Sequence, residues 1–457
     1  MVCSLFLCQL QQEGQDKYIR RCTSFKWILE GTKSKYTPYR YDAAQANHYM
    51  FAMGDLNFRT KLMGVEAGSE DHIKRCHELA AKKDWKTLNE RDELSRALRE
   101  KKCLVGFRTP YCNFDPTFKV ARGKGYDYNV KRSPSYTDRI LFKTADQLDG
   151  GVDTFLYEPV PRFITSDHKP VRGAFEVKLN EKIELPARYG APNLDLHILV
   201  SSLECMINAP EYRKTRTSGD EKKSPNPFVS FVSTPADAIK LSKKKRGKMK
   251  KLAKSTTKTL GYGTTFSKSA WPSTPTLEDS FEAKWEEDLT FSIRTHRDDG
   301  SEIDLSGSML HISCFDERSS DNKLIGAFTL NLARLVAVSR GIETNGSSSS
   351  RTVTSLSSNG DADGQKVGWS YAEPKKPSKA FKASINKEII AEDEWLAKPE
   401  YEKDLKKRAK QRISELHPFT FKLNERLTES GKQFGRVKCT IDAFWMEERV
   451  VAESIQE

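Results

Sequence analysis

The spacing of apolar residues changes in character near residue 180. Before that point, short apolar runs such as "YMFAM" at 49–53 alternate with a long block, residues 70–101, whose apolar residues recur at helical spacing. From Leu194 onward, the chain becomes a series of strand-like alternating runs with few helical stretches. We therefore predict a layered α/β domain followed by an all-β sandwich.

A polar stretch, "NEKIELPARYGAPN", separates the two patterns. We predict a first domain over residues 1–179, a linker over 180–193 and a β-sandwich over 194–447. Two insertions interrupt the sandwich: residues 239–258 contain ten basic residues and no acidic one, and residues 345–364 are rich in serine and glycine. Such compositions are typical of solvated loops.

The 457-residue chain carries a formal net charge of +13. This charge favours an anionic partner: nucleic acid, an anionic membrane or a phosphorylated small molecule. A lysine-rich solvated surface explains the charge equally well. The nine cysteines include no CxxC pair, and no apolar run is long enough to form a transmembrane helix. Because no signal peptide is recognisable either, we predict a cytoplasmic protein with reduced thiols and no zinc site.

Polar side chains with catalytic potential follow the predicted strands of the first domain. Asp55 and Asn57 lie two residues apart, and therefore on one face, where a strand ends; Asp167 directly precedes His168 in "SDHKPV". An Asp–His pair alone is more often structural. Hydrolysis of a phosphate ester, however, needs a carboxylate that activates water, donors to the phosphoryl oxygens and positive charge. The nearby cationic residues are Lys119, Lys131, Arg132 and Arg139.

Five blocks in a fixed order carry a resemblance: "GDLNFR", "DWKTLNERDEL", "FDPTFK", "RSPSYTDRIL" and "SDHKPV". Together they resemble the inositol polyphosphate 5-phosphatase family over roughly residues 5–178. The resemblance implies the four-layer α/β sandwich of the endonuclease/exonuclease/phosphatase type. It also implies a Mg²⁺ cofactor and hydrolysis of a phosphate monoester at the inositol 5-position.

The resemblance also implies roles for individual residues. Asp55 would activate water beside Asn57, and His168 would lie at the scissile phosphate with Asp167 orienting it. Lys119 and Arg132 would hold the neighbouring 4-phosphate. We place the following residues in the substrate-binding group: Lys119, Lys131, Arg132, Asp138 and Arg139.

The chain departs from the family pattern in several places. Phe58 replaces a tyrosine, and Tyr136 and Thr137 replace a tryptophan and a cysteine. The segment "CQLQQ" at 8–12 resembles a strand in the middle of the family domain, and the family's magnesium-binding glutamate would precede it. We therefore expect either a fragment of a longer phosphatase, truncated at its N-terminus, or a paralogue without catalysis, and the metal ligands stay unassigned.

The β-rich half resembles a C2 domain through "NPFV" at 226–229 and the pair Ile325–Gly326. Calcium-binding C2 domains need several acidic ligands. One such acidic residue, Asp316, is present, but Asn226, Arg318 and Lys323 stand where further acids would be expected. We therefore do not expect this domain to bind calcium. The basic insertion would attract an anionic leaflet by about 1 kcal/mol per basic residue. A solvated loop and a nuclear localisation signal are the alternatives.

The function predicted on this basis is a phosphoinositide or inositol polyphosphate 5-phosphatase, cytoplasmic and peripheral at membranes. The first alternative is a catalytically inactive phosphoinositide-binding adaptor. The second is a nuclease of the same fold; we do not expect nucleic acid as a partner, because two of the blocks resemble segments that bind ring phosphates.

Overall fold

A computed structural model describes residues 3–7, 10, 15–33, 41–145, 151–178, 194–208, 224–240, 271–297, 300–317, 322–332, 335–336, 368–372 and 419–447. The chain divides into two compact units. Unit 1 comprises residues 1–179 and 428–433, and unit 2 comprises residues 180–427 and 434–457. The predicted linker, the Ser-rich insertion and the basic insertion beyond residue 240 lie outside the described residues.

Unit 1 interleaves strands and helices. Its strands are β1 (Cys3–Leu7), β2 (Tyr49–Asp55), β3 (Asp138–Thr144), β4 (Val152–Pro159) and β5 (Val171–Val177), and its helices are α1 (Gln15–Gly31), α2 (Ala43–Ala46), α3 (Glu70–Ala81), α4 (Trp85–Glu90) and α5 (Glu93–Arg99). One sheet has the order β1-β2-β3, and β4 and β5 form a second sheet. Strand β2 is parallel to β1 and antiparallel to β3.

The predicted helical block 70–101 is three helices rather than one. Each begins at a polar residue whose side chain accepts a hydrogen bond from the backbone: Ser69 for α3, Asp84 for α4 and Asp92 for α5. Lys83, between the first two helices, has a left-handed φ of 55°, which ends a helix. The breaks therefore follow from capping residues within an otherwise helical pattern.

Two apolar clusters define the layers of unit 1. Phe25 and Leu29 of α1 and Leu94 of α5 pack on one face of the three-stranded sheet, against Met50 and Leu141. On the other face of that sheet, Phe51 of β2 and Phe142 of β3 pack against Phe175 of β5. The described residues thus form a helical layer and two packed sheets, in agreement with a layered α/β domain.

Unit 2 is built from strands. They are β6 (Leu194–Ile207), β7 (Pro227–Thr234), β8 (Ile239–Lys240), β9 (Glu282–Trp285), β10 (Leu289–Ile293), β11 (Met309–Asp316), β12 (Lys323–Asn331), β13 (Gly368–Ala372), β14 (Phe419–Glu429) and β15 (Lys432–Glu447), with short 3₁₀ turns at Ala236–Ala238 and Leu305–Gly307. The main hydrogen-bonded order is β7-β11-β12-β14-β15-β6-β10-β8. Strands β6 and β11 are not neighbours in this order, yet the sulfur atoms of Cys205 and Cys314 lie 3.5 Å apart. The sheet therefore curls over and encloses its own core.

Asp316, the acidic residue singled out in the sandwich, is buried and accepts a hydrogen bond from the backbone N–H of Asn226 at 2.9 Å. It therefore ties two strand ends together. In the part of the chain that the structure describes, no helix has the length and apolar character needed to cross a membrane.

His72 on α3 is a buried histidine, and we predict that it makes the free energy of unfolding depend on pH. Burial lowers its pKa from the usual 6.5, and its Nε2 accepts a hydrogen bond from the backbone N–H of Leu62. Below about pH 6.5 the unfolded chain takes up a proton that the folded protein resists, so the free energy of unfolding should fall as the pH drops. We expect denaturant unfolding between about pH 7.5 and pH 5.5 to show this slope, and His72→Gln to reduce it.

The matched control is His77→Gln, on the same helix but only partly buried. If the slope were unchanged in His72→Gln, or lost equally in both variants, the assignment to His72 would be wrong.

Candidate active site

Two carboxylates meet at one end of the three-stranded sheet. Asp55 is the last residue of β2 and Asp138 is the first residue of β3, and the antiparallel register pairs these two positions directly. The two residues are more than eighty positions apart in sequence, and the strand pairing alone brings them together.

His168 completes this group from the loop that leads into β5. Among the described residues, Asp55, Asp138 and His168 are the set whose ligand atoms lie within 4.8 Å of one another. His168 Nδ1 is 3.0 Å from Asp138 Oδ2. Because a carboxylate only accepts, Nδ1 carries the proton, and Nε2 is the ring nitrogen left for a substrate.

The residue that orients His168 is therefore Asp138, which differs from the expectation that Asp167 does so and that Asp138 binds substrate. Asp138 Oδ2 also accepts hydrogen bonds from the hydroxyls of Thr117 at 2.7 Å and Thr137 at 2.9 Å. Asp167 instead pairs with Lys119, whose Nζ lies 2.8 Å from Asp167 Oδ2. This hydrogen bond lowers the pKa of Asp167.

Electrostatics prepares His168 and Asp55 for different roles. Burial by itself would lower the pKa of His168, but the hydrogen bond and charge of Asp138 outweigh it, and the pKa is raised from 6.5. Burial, assisted by the charge of Asp138, raises the pKa of Asp55. Asp55 is consequently a stronger base than an exposed aspartate, and His168 is more readily protonated than an exposed histidine.

Asn57 positions Asp55 in this structure. Its φ of 54° is left-handed, a conformation that asparagine tolerates, and it turns the side chain back toward the strand end. Its Nδ2 donates to Asp55 Oδ2 at 3.0 Å and to the carbonyl of Leu10 at 2.7 Å. Both amide hydrogens are therefore used within the protein rather than held ready for a phosphoryl oxygen, as the sequence had suggested.

Arg59 is a residue of the site that the sequence analysis did not single out. Its Nη2 donates to Asn57 Oδ1 at 2.7 Å, which fixes the orientation of the amide group. Its guanidinium lies 4.2 Å from the ring centre of Phe118, and that ring in turn lies 4.6 Å from the ring of His168. The sequence signal that could have indicated Arg59 is its place in "GDLNFR", but its contacts with Asn57 and Phe118 are visible only in the tertiary structure.

The predicted substrate-binding cations fall into two groups. Lys131 and Arg132 are exposed, and Lys119 is about a third exposed at 36%. Arg139 is different: its side chain is 1% exposed and its Nη1 lies 2.8 Å from Asp92 Oδ2, which is equally buried. Arg139 therefore holds β3 to the start of α5 and cannot reach a substrate, contrary to its predicted role.

The donor set at the sheet end fits a hard divalent cation. Asp55 and Asp138 offer carboxylate oxygens, which Mg²⁺ prefers, and water would complete its coordination. His168 is engaged through Nδ1 with Asp138, so the two carboxylates are the groups that would hold such an ion.

Each of the two parts of the chain matches a known family model. Residues 4–174 match the model of Endonuclease/Exonuclease/phosphatase family 2, and residues 236–347 match that of the C2 domain. These matches confirm the predicted fold class of each part.

Similar proteins include phosphatidylinositol polyphosphate 5-phosphatase type IV of Mus musculus, 33% identical over 168 residues, and of Homo sapiens, 34% identical over 168 residues. In both cases the match covers 35% of this chain and 25% of the relative. Phosphatidylinositol 3,4,5-trisphosphate 5-phosphatase 1 of Xenopus laevis is 29% identical over 180 residues, which is 36% of this chain and 16% of that protein. The chain thus spans a quarter or less of the length of these relatives.

Among solved structures, the inositol polyphosphate 5-phosphatase domain of SPsynaptojanin is 23% identical, with 38% of this chain and 48% of that chain covered. The TM-score for this pair is 0.31. The sequence matches lead to one conclusion: residues 4–174 are similar to Endonuclease/Exonuclease/phosphatase family 2, and residues 236–347 are similar to the C2 domain.

Proposed function

We propose that this chain carries the catalytic site of a phosphoinositide 5-phosphatase, which hydrolyses the 5-phosphate of a phosphatidylinositol polyphosphate or of a soluble inositol polyphosphate. The observation that carries the proposal is the group of Asp55, Asp138 and His168 at one sheet end, with ligand atoms within 4.8 Å of one another. The names of the similar proteins support the substrate class.

The reaction is the attack of water on phosphorus, in which a new P–O bond forms, the bond to the inositol oxygen breaks, and the leaving oxygen takes up a proton from solvent. Asp55 accepts a proton from the water. His168, held by Asp138, donates from Nε2 to a phosphoryl oxygen, where negative charge grows in the transition state. Asn57 and Arg59 keep the Asp55 carboxylate in place.

A divalent metal fits this mechanism, and we propose Mg²⁺ held by Asp55 and Asp138. When bound, it supplies positive charge to phosphoryl oxygens. The cations Lys119, Lys131 and Arg132 are proposed to bind the phosphate next to the scissile one.

Membrane attachment is proposed for the second half of the chain. The C2 match supports peripheral binding. The ten basic residues of 239–258 would add attraction to an anionic leaflet.

The test is phosphate release by the full chain from phosphatidylinositol 4,5-bisphosphate in the presence of Mg²⁺. We expect phosphatidylinositol 4-phosphate as the product and no release in excess EDTA. Release of the 4-phosphate would contradict the proposal. Absence of release together with retained headgroup binding would favour the adaptor alternative.

A further inference from the structure

Two short loops present the proposed substrate-binding cations. The lysine loop, residues 116–120, carries Lys119, and the arginine loop, residues 131–135, carries Lys131 and Arg132. The segment between them, residues 121–130, contributes no residue to the predicted site. Two of its residues, Asn129 and Tyr128, nevertheless contact these loops.

Asn129 connects the two loops through three hydrogen bonds. Its backbone N–H donates to the carbonyl of Lys119 at 2.9 Å, and its own carbonyl accepts from the N–H of Arg132 at 3.1 Å. Its side-chain Oδ1 accepts from the N–H of Lys131 at 2.9 Å. The backbones of all three cations are thus fixed relative to one residue.

Tyr128 and His77 make a second connection between the loops. The Tyr128 hydroxyl donates to the carbonyl of Pro116 in the lysine loop at 2.7 Å. The ring of His77 packs edge-on against Tyr128, with ring centres 5.9 Å apart and an angle of 87°. His77 Nε2 lies 3.1 Å from the carbonyl of Arg132, to which it must donate, because a carbonyl only accepts.

The two loops are joined directly by two backbone hydrogen bonds between Phe118 and Ser135. We propose that Asn129, Tyr128 and His77 are positioning residues that, in addition, fix the backbones of the cation-bearing parts of these loops and thereby determine selectivity for a ring with a phosphate adjacent to the scissile one. The inference rests on the proposed function, which assigns Lys119, Lys131 and Arg132 to that phosphate. Lysine and arginine side chains are long and lose rotamer entropy when they bind. If the backbones of the three cations are already fixed relative to one another, less conformational entropy is lost when their side chains bind one phosphate.

The scissile phosphate depends on different contacts. Asp138 is held by the hydroxyls of Thr117 and Thr137, His168 by Asp138, and Asp55 by Asn57. Thr117 lies in the lysine loop, but substituting the Asn129 or Tyr128 side chain removes none of these hydrogen bonds. Loosening the connection between the loops should therefore weaken binding of the adjacent phosphate and leave that of the scissile phosphate unchanged.

The experiment is calorimetric titration of the full chain with inositol 1,4,5-trisphosphate and inositol 1,5-bisphosphate, in EDTA so that no hydrolysis occurs. We expect the unmodified protein to bind the trisphosphate more tightly. Asn129→Ala and Tyr128→Phe should each weaken trisphosphate binding about fivefold, the equivalent of one net hydrogen bond. Neither should change bisphosphate binding.

Two further variants separate positioning from general damage. Asn129→Asp keeps the acceptor for the Lys131 N–H and should retain more selectivity than Asn129→Ala. Val130→Ala, at the adjacent side chain that is 78% exposed, should leave both affinities unchanged. Equal weakening for both probes, no weakening for either, or equal binding of both probes by the unmodified protein would overturn the proposal.

Failure of the proposed function would look different. If selectivity follows the expected pattern but no phosphate is released from the lipid in Mg²⁺, the 5-phosphatase activity is wrong and the positioning role stands. If release occurs while the ratio of affinities is the same in all variants, the activity stands and the positioning role is wrong.

Discussion

His168→Ala is expected to lower kcat for phosphate release by about 10³-fold, within the range for loss of a positioned acid or base. Asp138→Asn should cause a loss of similar order, because Asp138 fixes the imidazole through the 3.0 Å hydrogen bond to Nδ1. Since the two side chains act as one unit, the double variant should lose little more than either single variant. Steady-state kinetics at saturating Mg²⁺ measures this, so that any weaker metal binding by the Asp138→Asn variant does not contribute to the loss.

The matched control is Asp167→Asn, at the residue next to His168. Asp167 pairs with Lys119 rather than with the imidazole, and we expect its loss to raise KM with a smaller effect on kcat. The pH profile gives a second test. Without Asp138, burial remains as the main influence on the pKa of His168 and lowers it. As the pH rises, a rate that depends on protonated His168 should therefore begin to fall at a lower pH than in the unmodified protein. A larger loss of kcat in Asp167→Asn than in Asp138→Asn would contradict this assignment.

Arg139→Met is expected to destabilise unit 1 by about 3–5 kcal/mol, the cost of leaving one member of a buried ion pair without its partner. The guanidinium and the Asp92 carboxylate are each 1% exposed and 2.8 Å apart, so the variant buries an uncompensated negative charge. Urea denaturation followed by fluorescence measures the change.

Adding Asp92→Asn should recover part of this stability. The amide carries no charge, and its oxygen can still accept from the N–H of Ser95, which Asp92 Oδ2 does at 2.8 Å at the start of α5. Arg132→Met is the control at an exposed position and should change stability by less than about 0.5 kcal/mol. If Arg139→Met preserved stability but weakened headgroup binding, Arg139 would be a substrate-binding residue after all.

Much of the fold was predictable because it depends on local pattern. Helical spacing in 70–101 and strand runs such as 49–53 were sufficient to predict a layered α/β unit followed by a β-rich one. The three-helix division of the block was missed, although Asp84 and Asp92 are recognisable caps. The spacing of apolar residues indicates which face of each helix is buried, whereas the capping residues indicate where each helix begins and ends.

The sequence by itself determined which residue types are available for the proposed phosphate chemistry: Asp55, Asn57, His168 and the cations of two short loops. The tertiary structure decided which of them act together. Pairing of β2 with β3 places Asp138 opposite Asp55, and the loop before β5 brings His168 onto Asp138 rather than leaving it with its neighbour Asp167. Burial turned Arg139 from a predicted substrate ligand into half of an internal ion pair. The physical reason is that adjacency along the chain does not determine side-chain contact, whereas strand register and burial do.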